Sequence, residues 1–133
     1  MHMLNRFLPG GDFIFLVTKE FTFDAAHRLE RYHGKCEELH GHTYRLSISV
    51  KGELDDEGMV IDFLELKALI KEHVLSHLDH KYLNEVIEQP TAENIAKWVF
   101  DAVKPLIDSE KRKLHEVRVW ETVTSSATYR ESQ

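Results

Sequence analysis

The sequence predicts an α+β domain in which two helices pack on one face of a four-stranded antiparallel sheet, in the order ββααββ. Three observations carry that prediction. Over Thr43 to Val50, Tyr44, Leu46, Ile48 and Val50 alternate with Thr43, Arg45, Ser47 and Ser49, which is the period of a half-buried strand. From Asp62 the period lengthens, and Phe63, Leu66, Leu69, Ile70 and Val74 recur at steps of three and four, as on an amphipathic helix. Leu114 to Thr122 then returns to strand composition.

The elements follow in order. Residues 1–12 form an irregular segment, because Pro9-Gly10-Gly11 interrupts any regular structure, and a single domain spans residues 13–130. Phe13 to Phe23, rich in Phe, Ile, Val and Thr, reads as the first strand, with Asp24 to Leu29 at its end. Residues 30–41 read as a loop, and Asp55-Asp56-Glu57-Gly58 as a turn after the second strand. Asp62 is placed to cap the first helix, which gives way before Leu78-Asp79-His80. Lys81 to Gln89 is expected as a connecting loop or short turn. Thr91 is the expected cap of the second helix, whose apolar face is Ile95, Trp98, Val99, Ala102 and Val103, with Pro105 near its end. Ser125 to Arg130 supplies a fourth strand.

Composition narrows the function classes. The chain has 133 residues, enough for one real core but not two. A net charge of -6 argues against a general nucleic-acid or anionic-membrane binder. Cys36 is the only cysteine, so no intrachain disulfide can form, and a reducing compartment is the simpler reading. No run approaches the roughly 20 apolar residues of a membrane span, and no signal-peptide pattern opens the chain. A cytoplasmic protein is expected.

The chemistry concentrates in Cys36-Glu37-Glu38-Leu39-His40-Gly41-His42. If the strand period extends back through Gly41, His40 and His42 point to one side. His27 joins them if the end of the first strand lies beside the start of the second. Three neutral imidazoles with no fourth protein ligand describe a catalytic zinc site with an open position, and zinc there would act as a Lewis acid. The alternative is a chance His-x-His pair in a polar loop. Cys36, in the loop feeding the strand, is a candidate proton acceptor or nucleophile beside a cation; otherwise it is a structural cysteine. Asp79-His80 is a candidate carboxylate–imidazole pair, against a plain helix-end role. Glu121 shares a strand face with Val117 and Val119, so it either reaches solvent or meets a ligand bearing N–H donors. His33, His73, His77 and His115 read as surface residues.

Together these residues resemble the 6-pyruvoyl-tetrahydropterin synthase and 6-carboxytetrahydropterin synthase family. The resemblance rests on Phe23-Asp24-Ala25-Ala26-His27-Arg28-Leu29, Cys36 to His42, Val60-Ile61-Asp62-Phe63, Leu78-Asp79-His80, Pro90-Thr91-Ala92-Glu93-Asn94 and Trp120-Glu121-Thr122, in the family's order. It implies the tunnelling fold, in which three subunits join their sheets into a barrel and two trimers stack as a homohexamer. It implies that His27, His40 and His42 hold Zn2+ and that Cys36 is the general base. Asp79 and His80 are implied as a relay reaching the site across a subunit boundary. Glu121 is implied as the pterin anchor, with Thr91 assisting.

The spacing Cys-x-x-x-His-Gly-His resembles the bacterial carboxytetrahydropterin branch. That implies a carbon–oxygen lyase making 6-carboxy-5,6,7,8-tetrahydropterin from 7,8-dihydroneopterin triphosphate, with loss of acetaldehyde and triphosphate, on the route to queuosine. The alternatives are a 6-pyruvoyl-tetrahydropterin synthase and an enzyme that cleaves the side chain to 6-hydroxymethyl-dihydropterin for folate synthesis. Glu37, three residues before His40, has the spacing of that last branch, although a solvated charge in an acidic loop is the simpler reading. A non-catalytic zinc- or pterin-binding module is the reading from another class. A zinc hydrolase is weaker still, because no His-Glu-x-x-His motif is present.

Overall fold

The computed structural model describes residues 15–131. The expected irregular segment 1–12 and the strand start at Phe13 lie outside them. Strands β1 (Phe15–His27) and β2 (His40–Gly52) pair antiparallel along their whole length, from Phe15 opposite Gly52 to His27 opposite His40. Both run further than the alternation alone suggests, because each completes the other's backbone hydrogen bonds. Asp62 then caps helix α1 (Phe63–Ile70), its carboxylate accepting from the Leu64 N–H at 2.8 Å. The rod continues through a π-helical turn (Lys71–Leu75) into the short α2 (Ser76–Leu78), reaching Asp79 instead of fraying before Leu78.

The expected loop after it contains strand β3 (Lys81–Tyr82) and a 3-10 turn (Leu83–Glu85). Two residues are too few for a period, and β3 exists only through parallel pairing with Ala25 and Ala26 of β1. Helix α3 (Ala92–Ile107) is capped by Thr91, whose Oγ1 accepts from the Asn94 N–H at 3.1 Å. Strands β4 (Arg112–Thr122) and β5 (Ser125–Tyr129) complete a five-stranded sheet in the order β3-β1-β2-β4-β5.

The core joins Phe23, Tyr44, Leu46, Ile48, Val50, Val117 and Val119 of the sheet to Leu66, Ile70 and Val74 and to Ile95, Val99, Phe100 and Val103 of the helices. Each such buried side chain contributes about 1.5–3 kcal/mol relative to exposure. This packing leaves the β1–β2 corner, where His27 meets His40, as a polar end to an apolar face. Among the described residues, no helix is long and apolar enough to cross a membrane.

Candidate functional site

The corner of the sheet brings the three histidines together. His27 is directly opposite His40, and His42 lies opposite Ala25, two residues along the same face. Gly41 is needed for the strands rather than for the site, since a Cβ there would come 3.3 Å from the Ala25 carbonyl oxygen. Tyr44 floors the cluster, stacked on Phe23 with ring centroids 4.9 Å apart and edge-on to His27 and His42. Burial raises the pKa of its phenol, so it stays neutral.

The hydrogen bonds assign the proton on two of the rings. His27, 1% exposed, places Nδ1 2.8 Å from the Pro90 carbonyl, and His40 places Nδ1 2.9 Å from the Glu38 carbonyl. A carbonyl can only accept, so both Nδ1 atoms carry hydrogen, which leaves Nε2 of each ring as the nitrogen a metal would use. Those two Nε2 atoms are 3.1 Å apart, close to the spacing of two nitrogens on one metal ion. His42 Nε2 is buried with no hydrogen-bond partner. Burial lowers the pKa of His42; Glu121 opposes that shift and the neighbouring imidazoles His27 and His40 reinforce it. One nitrogen from each ring lies within 4.8 Å of the others. Nitrogens on a tetrahedral zinc are about 3.3 Å apart, given Zn–N bonds near 2.0–2.1 Å. Three imidazoles on one corner therefore fit zinc with a fourth position open.

Glu121 leaves the apolar face of β4 at this point. Its Oε1 is 3.8 Å from His27 Nε2 and its Oε2 is 4.0 Å from His42 Nε2. It also lines a cavity of about 260 Å³ with Thr91, Glu93 and Ser125. The structure thus puts Glu121 and Thr91 in one recess beside the histidines. Thr91 Oγ1 accepts from α3, which leaves its O–H to donate.

Cys36 is exposed and belongs to neither side-chain cluster described here. Its loop is nevertheless held firmly. The Asn84 amide exchanges two hydrogen bonds with the backbone of Arg28, at 2.9 and 2.6 Å, and the Gln89 amide does the same for Arg31, at 3.1 and 2.8 Å. A tight turn follows, Tyr32 and Lys35 pairing across His33 and Gly34, both at positive φ. The Glu37 N–H donates to the Leu29 carbonyl, and the Leu29 N–H donates to Glu37 Oε1 at 3.1 Å. Glu37 is therefore not the solvated charge that its acidic neighbourhood suggests: its side chain is 23% exposed, with Oε1 3.9 Å from His40 Nδ1. Asn84 and Gln89 carry no motif, and only their proximity across more than fifty residues reveals their role.

Asp79 and His80 do touch, Asp79 Oδ1 lying 3.0 Å from His80 Nδ1. They cluster with Asp24 rather than with the three histidines. Asp24 pairs with Thr43, the neighbour of His42, and its side chain points to the opposite face of the sheet from His27 and His42. A cavity of about 640 Å³ is lined by Asp24, His42, Thr43, His80 and Lys81. Of the remaining histidines, His115 is half-buried instead of exposed, and burial lowers its pKa.

Comparison with known proteins agrees with this arrangement. The family model described as 6-pyruvoyl tetrahydropterin synthase matches residues 16–132. A 6-carboxy-5,6,7,8-tetrahydropterin synthase of Synechocystis sp. is 42% identical over 123 residues, covering 87% of this chain and 93% of that protein. A dihydroneopterin monophosphate aldolase of Pyrococcus furiosus is 40% identical over 102 residues, covering 75% of this chain and 83% of that one. The structure of Caenorhabditis elegans 6-pyruvoyl tetrahydropterin synthase superposes with a TM-score of 0.74 at 31% identity, covering 90% of this chain and 99% of that one. A sheet corner carrying three histidines, reached through a match over nearly the whole domain, makes this chain an enzyme of the 6-pyruvoyl tetrahydropterin synthase family.

Proposed function

We propose that this enzyme converts 7,8-dihydroneopterin triphosphate and one water to 6-carboxy-5,6,7,8-tetrahydropterin, releasing acetaldehyde and triphosphate, as an early step towards queuosine and related deazapurines. The observation that carries the reading is Glu121, which stands between the imidazole corner and the recess that also contains Thr91. His27, His40 and His42 would hold zinc, which when bound supplies a Lewis acid for the oxygens of the substrate side chain. Glu121 accepts hydrogen bonds from the amino and N–H groups of the pterin ring, a charge-assisted pairing that fixes the ring's orientation. Thr91 donates its O–H to the same ring. Cys36 takes the proton from the side-chain carbon, and the Asp79–His80 pair of a neighbouring subunit returns protons during carbon–carbon cleavage. The active form is a homohexamer built from two trimers, working in the cytoplasm.

A second reading is favoured by a particular observation. Glu37 is half-buried beside His40, with Oε1 holding the Leu29 N–H and lying 3.9 Å from His40 Nδ1. The aldolase relative, 40% identical over 102 residues, stands close in identity to the synthase relative at 42% over 123 residues, although it covers less of this chain. In that reading Glu37 moves the proton, and the product is 6-hydroxymethyl-dihydropterin.

One incubation separates the two. Zinc-loaded enzyme is given dihydroneopterin triphosphate, products are identified by mass, and acetaldehyde is assayed. Carboxytetrahydropterin with acetaldehyde supports the first reading. Hydroxymethyl-dihydropterin that disappears in Glu37→Ala, with zinc content unchanged, replaces it with the second. No turnover by the fully metallated oligomer would leave a binding module and refute both.

A further inference from the structure

His80 adopts a positive φ of +60, uncommon for a residue other than glycine, and its backbone is held there by hydrogen bonds. The contacts that hold it converge on one residue. The His80 N–H donates to the Asp24 carbonyl at 2.6 Å, and the Asp24 N–H donates to Asp79 Oδ1 at 3.0 Å. Asp79 Oδ1 is in turn the oxygen that faces His80 Nδ1. The Asp24 side chain is fixed as well, Oδ1 accepting from the Thr43 hydroxyl across the β1–β2 pair. One carboxylate oxygen of Asp24, one of Asp79 and a ring nitrogen of His80 lie within 4.8 Å of one another. Aspartate is disfavoured within strands, and the side chain of Asp24 is exposed, so core packing does not account for it.

We propose that Asp24 is the positioning residue of the Asp79–His80 pair, holding it in register with the strand that carries His42. The Thr43 bond locks the Asp24 side chain to β2, and the Asp24 peptide unit carries that lock to both members of the pair. The inference rests on the reading of Asp79–His80 as a proton relay, and it adds a residue that touches neither the pterin recess nor the proposed metal ligands.

The test compares Asp24→Ala, Asp24→Asn, Thr43→Val and His80→Ala in the zinc-loaded oligomer, with kcat, KM, metal content and the imidazole NMR signals of His80 as readouts. Asparagine keeps the acceptor for Thr43, so a positioning role predicts that it rescues. The expected result is a loss of about tenfold or more in kcat for Asp24→Ala and Thr43→Val, with Asp24→Asn within about threefold of wild type. KM and metal content stay constant, and the His80 ring signals shift and broaden only in the two impaired variants. Asp24→Ala at wild-type kcat, or Asp24→Asn as impaired as Asp24→Ala, would overturn the assignment. His80→Ala at wild-type kcat would remove the relay and the role of Asp24 with it. A collapsed His80→Ala beside an unimpaired Asp24→Ala leaves the relay standing and overturns Asp24 alone.

Discussion

Stripping and restoring zinc tests the histidine corner independently of turnover. The two Nε2 atoms of His27 and His40 are 3.1 Å apart, His42 Nε2 is buried without a hydrogen bond, and the fold already holds all three rings where one cation could meet them. Zinc should therefore bind the native state far better than the unfolded chain. A free concentration one hundred times Kd stabilises by about 2.7 kcal/mol. For 133 residues at about 2.1 cal/mol/K each, the unfolding entropy is roughly 280 cal/mol/K. The melting temperature should then rise by about 10 °C on zinc addition. The assay is a thermal melt of chelated and zinc-loaded protein at one fixed protein concentration, with zinc per chain measured by mass spectrometry. His42→Ala should bind zinc far more weakly and lose most of the shift. Coincident melts of chelated and zinc-loaded wild type, or one tightly bound zinc retained in His42→Ala, would refute the assignment.

Further outcomes follow from other residues. Cys36→Ala should keep full zinc content and the wild-type melt while losing turnover, because the side chain is exposed and outside the cluster; metal analysis beside a product assay checks it. Glu121→Gln should weaken pterin binding by about ten- to a hundredfold, the worth of a charge-assisted hydrogen bond of about 1.5–3 kcal/mol, read by titration with a pterin at constant metal content. Asn84→Ala removes both bonds to Arg28 and should cost about 1–3 kcal/mol, with faster amide exchange in residues 28–39. His115 has a pKa lowered by burial, so below 6.5 the unfolded chain binds the proton that the native ring resists. Its contribution to stability is therefore complete above that pH and declines as pH falls towards the native value. Urea midpoints of chelated wild type and His115→Gln should converge at acid pH relative to neutral pH.

Much of this domain is written in local pattern. The alternation from Tyr44 to Val50 and the three-four repeat from Phe63 to Val74 specify elements whose buried faces match the observed core. Asp62 and Thr91 were legible as caps because the side-chain oxygen and the amide it meets are only two or three residues apart. The imidazole corner was also within reach, since an antiparallel pair joined at one end can bring His27 beside His40, and the register sets them directly opposite. Glu121 stood out as an acid where the face of β4 should be apolar.

Other features have no local signature, because they are made by groups far apart in the chain. Strand β3 is two residues long and acquires its conformation from β1. The amides of Asn84 and Gln89 read as ordinary polar residues until the fold sets them against Arg28 and Arg31. Glu37 looks like one charge among several, yet its carboxylate closes the loop on Leu29. The proton positions on His27 and His40 follow from the carbonyls of Pro90 and Glu38, and the first of these lies 63 residues away from its imidazole. Periodicity encodes which face of an element is buried; which polar atoms then meet depends on register and on distances that appear only once the strands have paired.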